Sequence, residues 1–171
     1  MKRALGPALL ALALHTSAQH VIVSGKLRDF DTAAALAAAT IDATDPTGAS
    51  IPAIANDTGG YTLRLPFDHA WELTFRAGSH VPKRILMDTR GIPAEERRND
   101  FVITVDATLM EPEPEVDYSA LDRPIGRCAY AAQERTVAWD LPYTRERSAA
   151  IRALMEEHQR AHQRISPPAT H

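Results

Sequence analysis

Apolar and polar side chains alternate repeatedly between about residue 21 and residue 110. The clearest run covers 101–109, where every odd position is apolar and most of the even positions are polar. A period of two residues gives a strand one buried face and one solvated face. About seven such runs, separated by turn-forming sequences such as 45–48 and 56–60, predict a mainly β chain folded as an antiparallel sandwich. The alanine-rich residues 33–39 have helical propensity, but we expect a loop that leads into a strand there.

The pattern changes after residue 110. Residues 111–116 begin as alternating glutamate and proline, which predicts a stiff, extended linker behind a sandwich domain at 19–110. A different C-terminal section follows at 117–165. Within it, residues 127–130 and 136–139 are expected to pair as a small hairpin.

An amphipathic helix is predicted from Thr144, as its N-cap, to about residue 164. Ile151, Leu154 and Met155 fall on one stripe at helical spacing. A helix of about five turns is marginal alone in water, so it needs a surface on which to lie. That surface is either its own sandwich or another chain, and the pattern leaves both alternatives open.

The first 18 residues resemble a secretory signal in their layout. Lys2 and Arg3 precede a mostly apolar run at 4–14, and small residues stand at 16–18. We expect cleavage between Ala18 and Gln19, and hence an exported protein of the periplasm, the outer membrane surface or the extracellular space. Residues 166–171 are expected to be a disordered tail.

Charge and cysteine content exclude several classes. The formal net charge is −3, which provides no basic footprint for nucleic acid. After residue 18 no apolar run is long enough for a transmembrane helix. The single cysteine, Cys128, cannot form an internal disulfide, so we expect it to be a small buried residue, with an intermolecular bridge as the alternative.

Three stretches carry a family resemblance: Ser-Gly-Lys-Leu at 24–27, Asp-Thr-Gly-Gly-Tyr-Thr-Leu at 57–63, and the aromatic run 71–75 with Ala-Gly-Ser-His at 77–80. They are similar to the carboxypeptidase-regulatory-like domain. The resemblance implies a seven-stranded transthyretin-like (prealbumin-like) sandwich. It also implies a non-catalytic module for folding, docking or ligand contact in exported bacterial proteins. Residues 33–39 depart from the family pattern, which usually has Gly-x-Pro-Leu before the second strand.

The C-terminal section carries a second, looser resemblance. Asp117-Tyr118, the run 124–127, Trp139-Asp140 and Tyr143-Thr144 look like segments that follow this domain in small envelope proteins of gliding bacteria with type IX secretion. This resemblance implies an envelope role and no known chemistry.

Candidate metal ligands are few. His69 and Glu72 match the His-x-x-Glu element of zinc carboxypeptidases, but residues three apart on a strand point to opposite faces. His158 and His162 are four apart on the predicted helix, where we expect a helix flank beside arginines, with a weak transition-metal site as the alternative. Four aspartates stand near turns and are expected to form turns rather than bind calcium: Asp45, Asp57, Asp100 and Asp106.

The aromatic residues divide into two pairs. Trp71 and Tyr61 lie on apolar-alternating strand faces and are expected in the core, whereas Trp139 and Tyr143 are freer to contact a partner. We therefore predict a non-enzymatic, exported module that mediates protein–protein interaction in the cell envelope, with no catalytic, cofactor or metal residues. The alternatives are a carbohydrate-binding module and, third, a zinc-dependent peptidase. The predicted partner contacts are Trp139, Tyr143, Ile151, Leu154 and Met155.

Overall fold

The computed structural model describes residues 19–165, so the predicted signal at 1–18 and the predicted tail at 166–171 lie outside the described residues. The strands are β1 (His20–Asp29), β2 (Thr40–Thr44), β3 (Ser50–Ile54), β4 (Gly60–Pro66), β5 (Ala70–Arg76), β6 (Lys83–Asp88), β7 (Phe101–Thr104), β8 (Ala107–Leu109), β9 (Gly126–Ala131) and β10 (Thr136–Trp139). A short 3-10 turn at Ser119–Leu121 precedes β9, and helix α1 (Leu141–Ile165) follows β10.

Two sheets face each other. The smaller has the order β4-β1-β7, with β8 also paired to β1, and the larger has six strands in the order β10-β9-β6-β5-β2-β3. The mainly β sandwich with a C-terminal hairpin and helix is thereby confirmed. The sheets are mixed and not purely antiparallel as predicted, because β1 runs parallel to β7 and β8, and β6 runs parallel to β9. A period of two residues sets the faces of a strand and not the direction in which its neighbour runs.

The predicted strand at 101–109 is interrupted at Val105 and Asp106. The Tyr61 hydroxyl donates to the Val105 carbonyl at 2.7 Å, and the Asp106 carboxylate accepts the Lys26 backbone N–H at 2.8 Å. Side-chain groups thus replace part of the ladder, and β1 pairs with two short strands instead of one. The sandwich segment accordingly has eight strands where the alternation predicted about seven.

Apolar side chains from both sheets fill the space between them. Leu73 and Phe75 of β5 are completely buried, and Trp71 and Tyr61 are core residues as predicted, with 2% and 5% of their surfaces exposed. Cys128 is buried too, and burial raises the pKa of its thiol to about 12. A buried thiol held neutral in this way is a packing residue, not a reactive one.

The C-terminal hairpin extends the larger sheet. Its two strands pair as predicted, and β9 also pairs in parallel with β6, from Ile85↔Gly126 to Asp88↔Ala129. The C-terminal section, predicted to follow the sandwich as a separate part behind a linker, is therefore continuous with the larger sheet. The pairing of β9 with β10 is local, so the sequence pattern can predict it. The pairing of β9 with β6 joins segments about forty residues apart, and a local pattern does not predict it.

The N-cap of helix α1 lies four residues before the predicted Thr144. Asp140 is the N-cap: its Oδ1 accepts the Tyr143 N–H at 3.0 Å, and Pro142 occupies the first turn, where no N–H is needed. The Thr144 hydroxyl instead donates to the Asp140 carbonyl. The helix contacts β9 and the 3-10 turn, so its own domain supplies the surface on which it lies.

Among residues 19–165, no helix has both the length and the apolar character needed to cross a lipid bilayer.

Candidate functional site

An apolar groove runs between α1 and the loop that enters β9. Its volume is about 320 Å³. One wall is Ile125, whose N–H donates to the Arg84 carbonyl at 2.8 Å and so ties the loop to β6. The other wall is the helix, on which residues three and four apart share one face. The lining residues are Ile125, Thr144, Ser148, Ile151, Arg152 and Met155.

The position of α1 beside this groove is set by a buried cation. Arg147 is 8% exposed, and its guanidinium donates to the Ala120 carbonyl at 2.6 Å and the Pro124 carbonyl at 3.3 Å. An arginine can be buried at low cost only when its donors are satisfied. These bonds fix the first turns of the helix to the loop, so both walls of the groove are held in place.

Two of the five predicted partner contacts, Ile151 and Met155, line this groove and are half-buried. The prediction that Leu154 contacts a partner is wrong. Its side chain is only 3% exposed, so it packs inside its own domain and no partner can reach it in this structure. The sequence stripe placed these three residues on one broad face, and the structure divides that face between a buried strip and an open strip.

The two aromatic residues that were predicted to contact a partner both pack against their own domain. Trp139 is 38% exposed, and its ring covers the backbone of Gly126, where a side chain would collide with it. The Tyr143 hydroxyl donates to the Pro124 carbonyl at 3.1 Å, and its ring lies below the Arg127 guanidinium. Trp139 therefore keeps one accessible edge, while Tyr143 is mainly a support of the helix start.

A second cluster joins the far end of α1 to the sandwich. His158 is completely buried. Its Nε2 lies 2.9 Å from the Asp31 carboxylate in the β1–β2 loop, and its Nδ1 lies 2.7 Å from the Tyr118 hydroxyl. The Asp31 carboxylate can only accept a hydrogen bond, so the ring N–H at Nε2 donates to it. The Phe30 ring packs edge-on against it. The expected helix flank is therefore a buried junction at His158.

His162 completes this junction. Its Nδ1 lies 2.6 Å from Glu113 Oε1, and that hydrogen bond raises the pKa of His162. Glu113 also donates its backbone N–H to the Tyr118 hydroxyl at 2.9 Å. The Glu-Pro segment, predicted as a stiff linker, is thus bound to the helix through Glu113. Within residues 19–165, no three His, Cys, Asp or Glu side chains converge as a metal site would require.

His69 and Glu72, the other candidate metal ligands, contact different residues. His69 stacks on Trp71 and pairs with Asp45 at 2.8 Å, whereas Glu72 lies 3.6 Å from Arg84. Hydrogen bonds from Thr47 and His69 lower the pKa of Asp45 to about 2, against the opposing effect of burial. Asp45 closes its turn as predicted, because its Oδ1 accepts the backbone N–H groups of Thr47 and Ala49.

Asp100 and Asp106 do not close turns as predicted; their carboxylates accept backbone N–H groups of β1, eighty residues away in the chain. Asp100 takes the N–H of His20, and Asp106 takes the N–H of Lys26, both at 2.8 Å.

No protein-family model matches the chain, and no curated protein matches it. Among solved structures, the Bacillus anthracis TIE protein is 12% identical over 56% of this chain and 18% of its own, with a TM-score of 0.42. The group B streptococcus pilus 2b backbone protein is 9% identical over 54% and 41%, with a TM-score of 0.39. Chlorocatechol 1,2-dioxygenase from Pseudomonas putida is 15% identical over 61% and 70%, with a TM-score of 0.42.

The chain spans less than half the length of the first two of these structures. At such low identities and TM-scores, the likenesses carry no argument about function. The candidate site rests on the geometry of the molecule itself.

Proposed function

We propose that this chain is an exported, non-catalytic β-sandwich module that binds another protein of the cell envelope through the groove beside α1. The observation that carries the proposal is the groove itself, where Ile125, Ile151 and Met155 leave an apolar depression open to solvent. A concave apolar surface that is open to solvent can bury an apolar anchor side chain of a partner. The N-terminal pattern supports the proposal that the protein is exported. Sequencing the mature N-terminus in the native host tests this.

The groove suits one buried anchor side chain of a partner. A volume of about 320 Å³ accommodates a leucine or an aromatic ring, the kind of residue that dominates binding energy at interfaces. Arg152 is the charged member of the lining and stands at the exposed side of the helix. An acidic residue beside the apolar anchor would complement it.

The assignment to the carboxypeptidase-regulatory-like family is part of this proposal, as is a link to gliding or type IX secretion. The family-like run before β4 forms a tight turn in which Asn56 Oδ1 accepts the N–H groups of Thr58 and Gly60. Gly59 has a φ of +75°, a conformation that glycine adopts without strain. The turn supports the resemblance, since its residue types are the ones this geometry needs.

A capture experiment from envelope extract tests the groove. The variant Ser148→Arg places a long charged side chain in the groove from an exposed position, so it should fold normally and lose the partner. The variant Ala149→Arg makes the same change at the next exposed position, which does not line the groove, and should retain the partner. Equal recovery by both variants, with unchanged melting temperatures, would show that the groove is not the binding site.

The carbohydrate-binding alternative, in the form that needs a row of exposed aromatic rings, lacks its basis. Trp71 and Tyr61 are in the core, and of the other two only Trp139 keeps an exposed edge. The peptidase alternative loses its basis as well, because His69 and Glu72 are engaged by different partners.

A further inference from the structure

The outer face of the smaller sheet carries a second groove, with a volume of about 760 Å³. Its floor is formed by β1 and β4. One wall is formed by Ile54, the last residue of β3, and by Asn56 just after it. The other wall is formed by Thr104, the last residue of β7, and by Asp106 just before β8. This surface lies on the sandwich, apart from the groove beside α1, and the proposed docking function does not use it.

The floor of this groove is open where β4 has a glycine. Gly60 is the register partner of Lys26, so both occupy the same outer face. A Cβ at Gly60 would point into the groove and lie 3.2 Å from the Asn56 amide nitrogen. The absence of that side chain leaves the space beside Lys26 open.

Three hydroxyl groups cross the floor in one row. Ser24 of β1 pairs with Thr62 of β4 on one side and with Thr104 of β7 on the other. Directly paired residues project to the same face of a sheet. The row therefore presents three groups in a line across the strands, each able both to donate and to accept a hydrogen bond.

Two cations stand next to this row. Lys26 and Arg28 follow Ser24 at alternate positions of β1, about 7 Å apart on the same face. Arg28 is oriented by a 3.0 Å hydrogen bond from Nη1 to the Ala33 carbonyl. In the part of the chain that the structure describes, neither cation forms an ion pair with a carboxylate. The one acidic residue of the lining, Asp106, accepts the Lys26 backbone N–H.

We infer that this groove binds an acidic carbohydrate, with sugar hydroxyls on the Thr62–Ser24–Thr104 row and carboxylates on Lys26 and Arg28. A peptide that added a strand would pair at an edge of the sheet and not on the face that carries the hydroxyl row, because the central strand β1 is hydrogen-bonded along both edges. A neutral sugar is a poorer match, since the one aromatic residue of the lining, Tyr61, is only 5% exposed and offers no ring for stacking.

Calorimetric titration of the full chain at 0.15 M salt tests this inference with three probes of equal length: a hexauronate, a neutral glucan hexamer and hexaglutamate. The hexauronate should bind, and the other two should bind at least about tenfold more weakly, because each lacks either the charges or the hydroxyls. Equal binding of hexaglutamate would overturn the inference in favour of a general anion patch. No binding of the hexauronate would also overturn it.

Variants then locate the site. The double change Lys26→Ala with Arg28→Ala should weaken hexauronate binding by about tenfold or more, and Thr62→Val should weaken it without altering charge. Arg64→Gln is the matched control, since Arg64 is an exposed cation of β4 that does not line the groove. A loss in Arg64→Gln equal to that of the double variant would show that binding depends on overall charge, and the groove would not be the site.

Discussion

The sandwich strands and helix α1 are stabilised in different ways. The strands are held by continuous backbone ladders and by an apolar core that includes Leu73 and Phe75. Helix α1 is held by a short buried apolar strip and by polar contacts at two points: Arg147 near its start and His158 near its end. Polar junctions depend on geometry and protonation, so the helix can respond to conditions that leave the sandwich unchanged.

The largest effect should come from the sandwich core. Phe75 is completely buried and packs edge-on against Tyr61 with ring centroids 5.8 Å apart. Phe75→Ala should lower the free energy of unfolding by about 3–5 kcal/mol, through lost apolar burial and the cavity left behind. Urea unfolding measures it. Arg76→Ala, on the same strand but exposed, removes only a surface ion pair with Asp42 and should change it by about 1 kcal/mol or less. Similar losses in the two variants would contradict the assignment of the core.

A smaller and more local effect is expected at the helix junction. His158→Ala removes both hydrogen bonds and leaves the Asp31 carboxylate without its histidine, which should cost about 1–3 kcal/mol. Amide hydrogen exchange should show lost protection in the last turns of α1, with the strands still protected. The neighbouring exposed change Gln159→Ala should leave the exchange as it is. Uniform loss of protection in His158→Ala would mean that helix and sandwich unfold as one unit.

The junction should also depend on pH. Because the hydrogen bond to Glu113 raises the pKa of His162 above 6.5, this pair stabilises the helix end fully below pH 6.5 and less as pH rises through the folded-state pKa. Protection factors near His162 should therefore fall as the pH rises above 6.5 and through the folded-state pKa of His162. Glu113→Gln keeps a hydrogen-bonding group but removes the charge, so it should make that fall smaller, while Asp31 and Asp29 continue to raise the pKa of His162. A fall of equal size in Glu113→Gln would assign the pH dependence to another group.

The smallest effect is expected at His69 and Glu72, the pair that matches the His-x-x-Glu element of zinc carboxypeptidases. Glu72 lies on a solvated strand face beside Arg84, so Glu72→Ala should change the free energy of unfolding by about 0.5 kcal/mol or less. Metal analysis of the purified protein should find no stoichiometric zinc, and peptidase assays should show no activity. One tightly bound zinc that is lost in His69→Ala would reverse this interpretation.

The sequence by itself determined the elements and their apolar faces. Alternation identified the strands, including the buried positions of Trp71 and Tyr61, and helical spacing identified α1 to within a few residues of its start. These features depend on near neighbours in the chain, where the period of the backbone decides which side chains share a face.

Only the tertiary structure decided which surface covers each face. The stripe of α1 did not show that Leu154 is enclosed while Ile151 and Met155 remain open, because that depends on where the loop before β9 lies. Nor did it show the pairing of β9 with β6, or that Asp31 meets His158 across 127 residues. A local period fixes the direction of a side chain, but its burial and its partner depend on segments far away in sequence, whose positions are set by the packing of the whole domain.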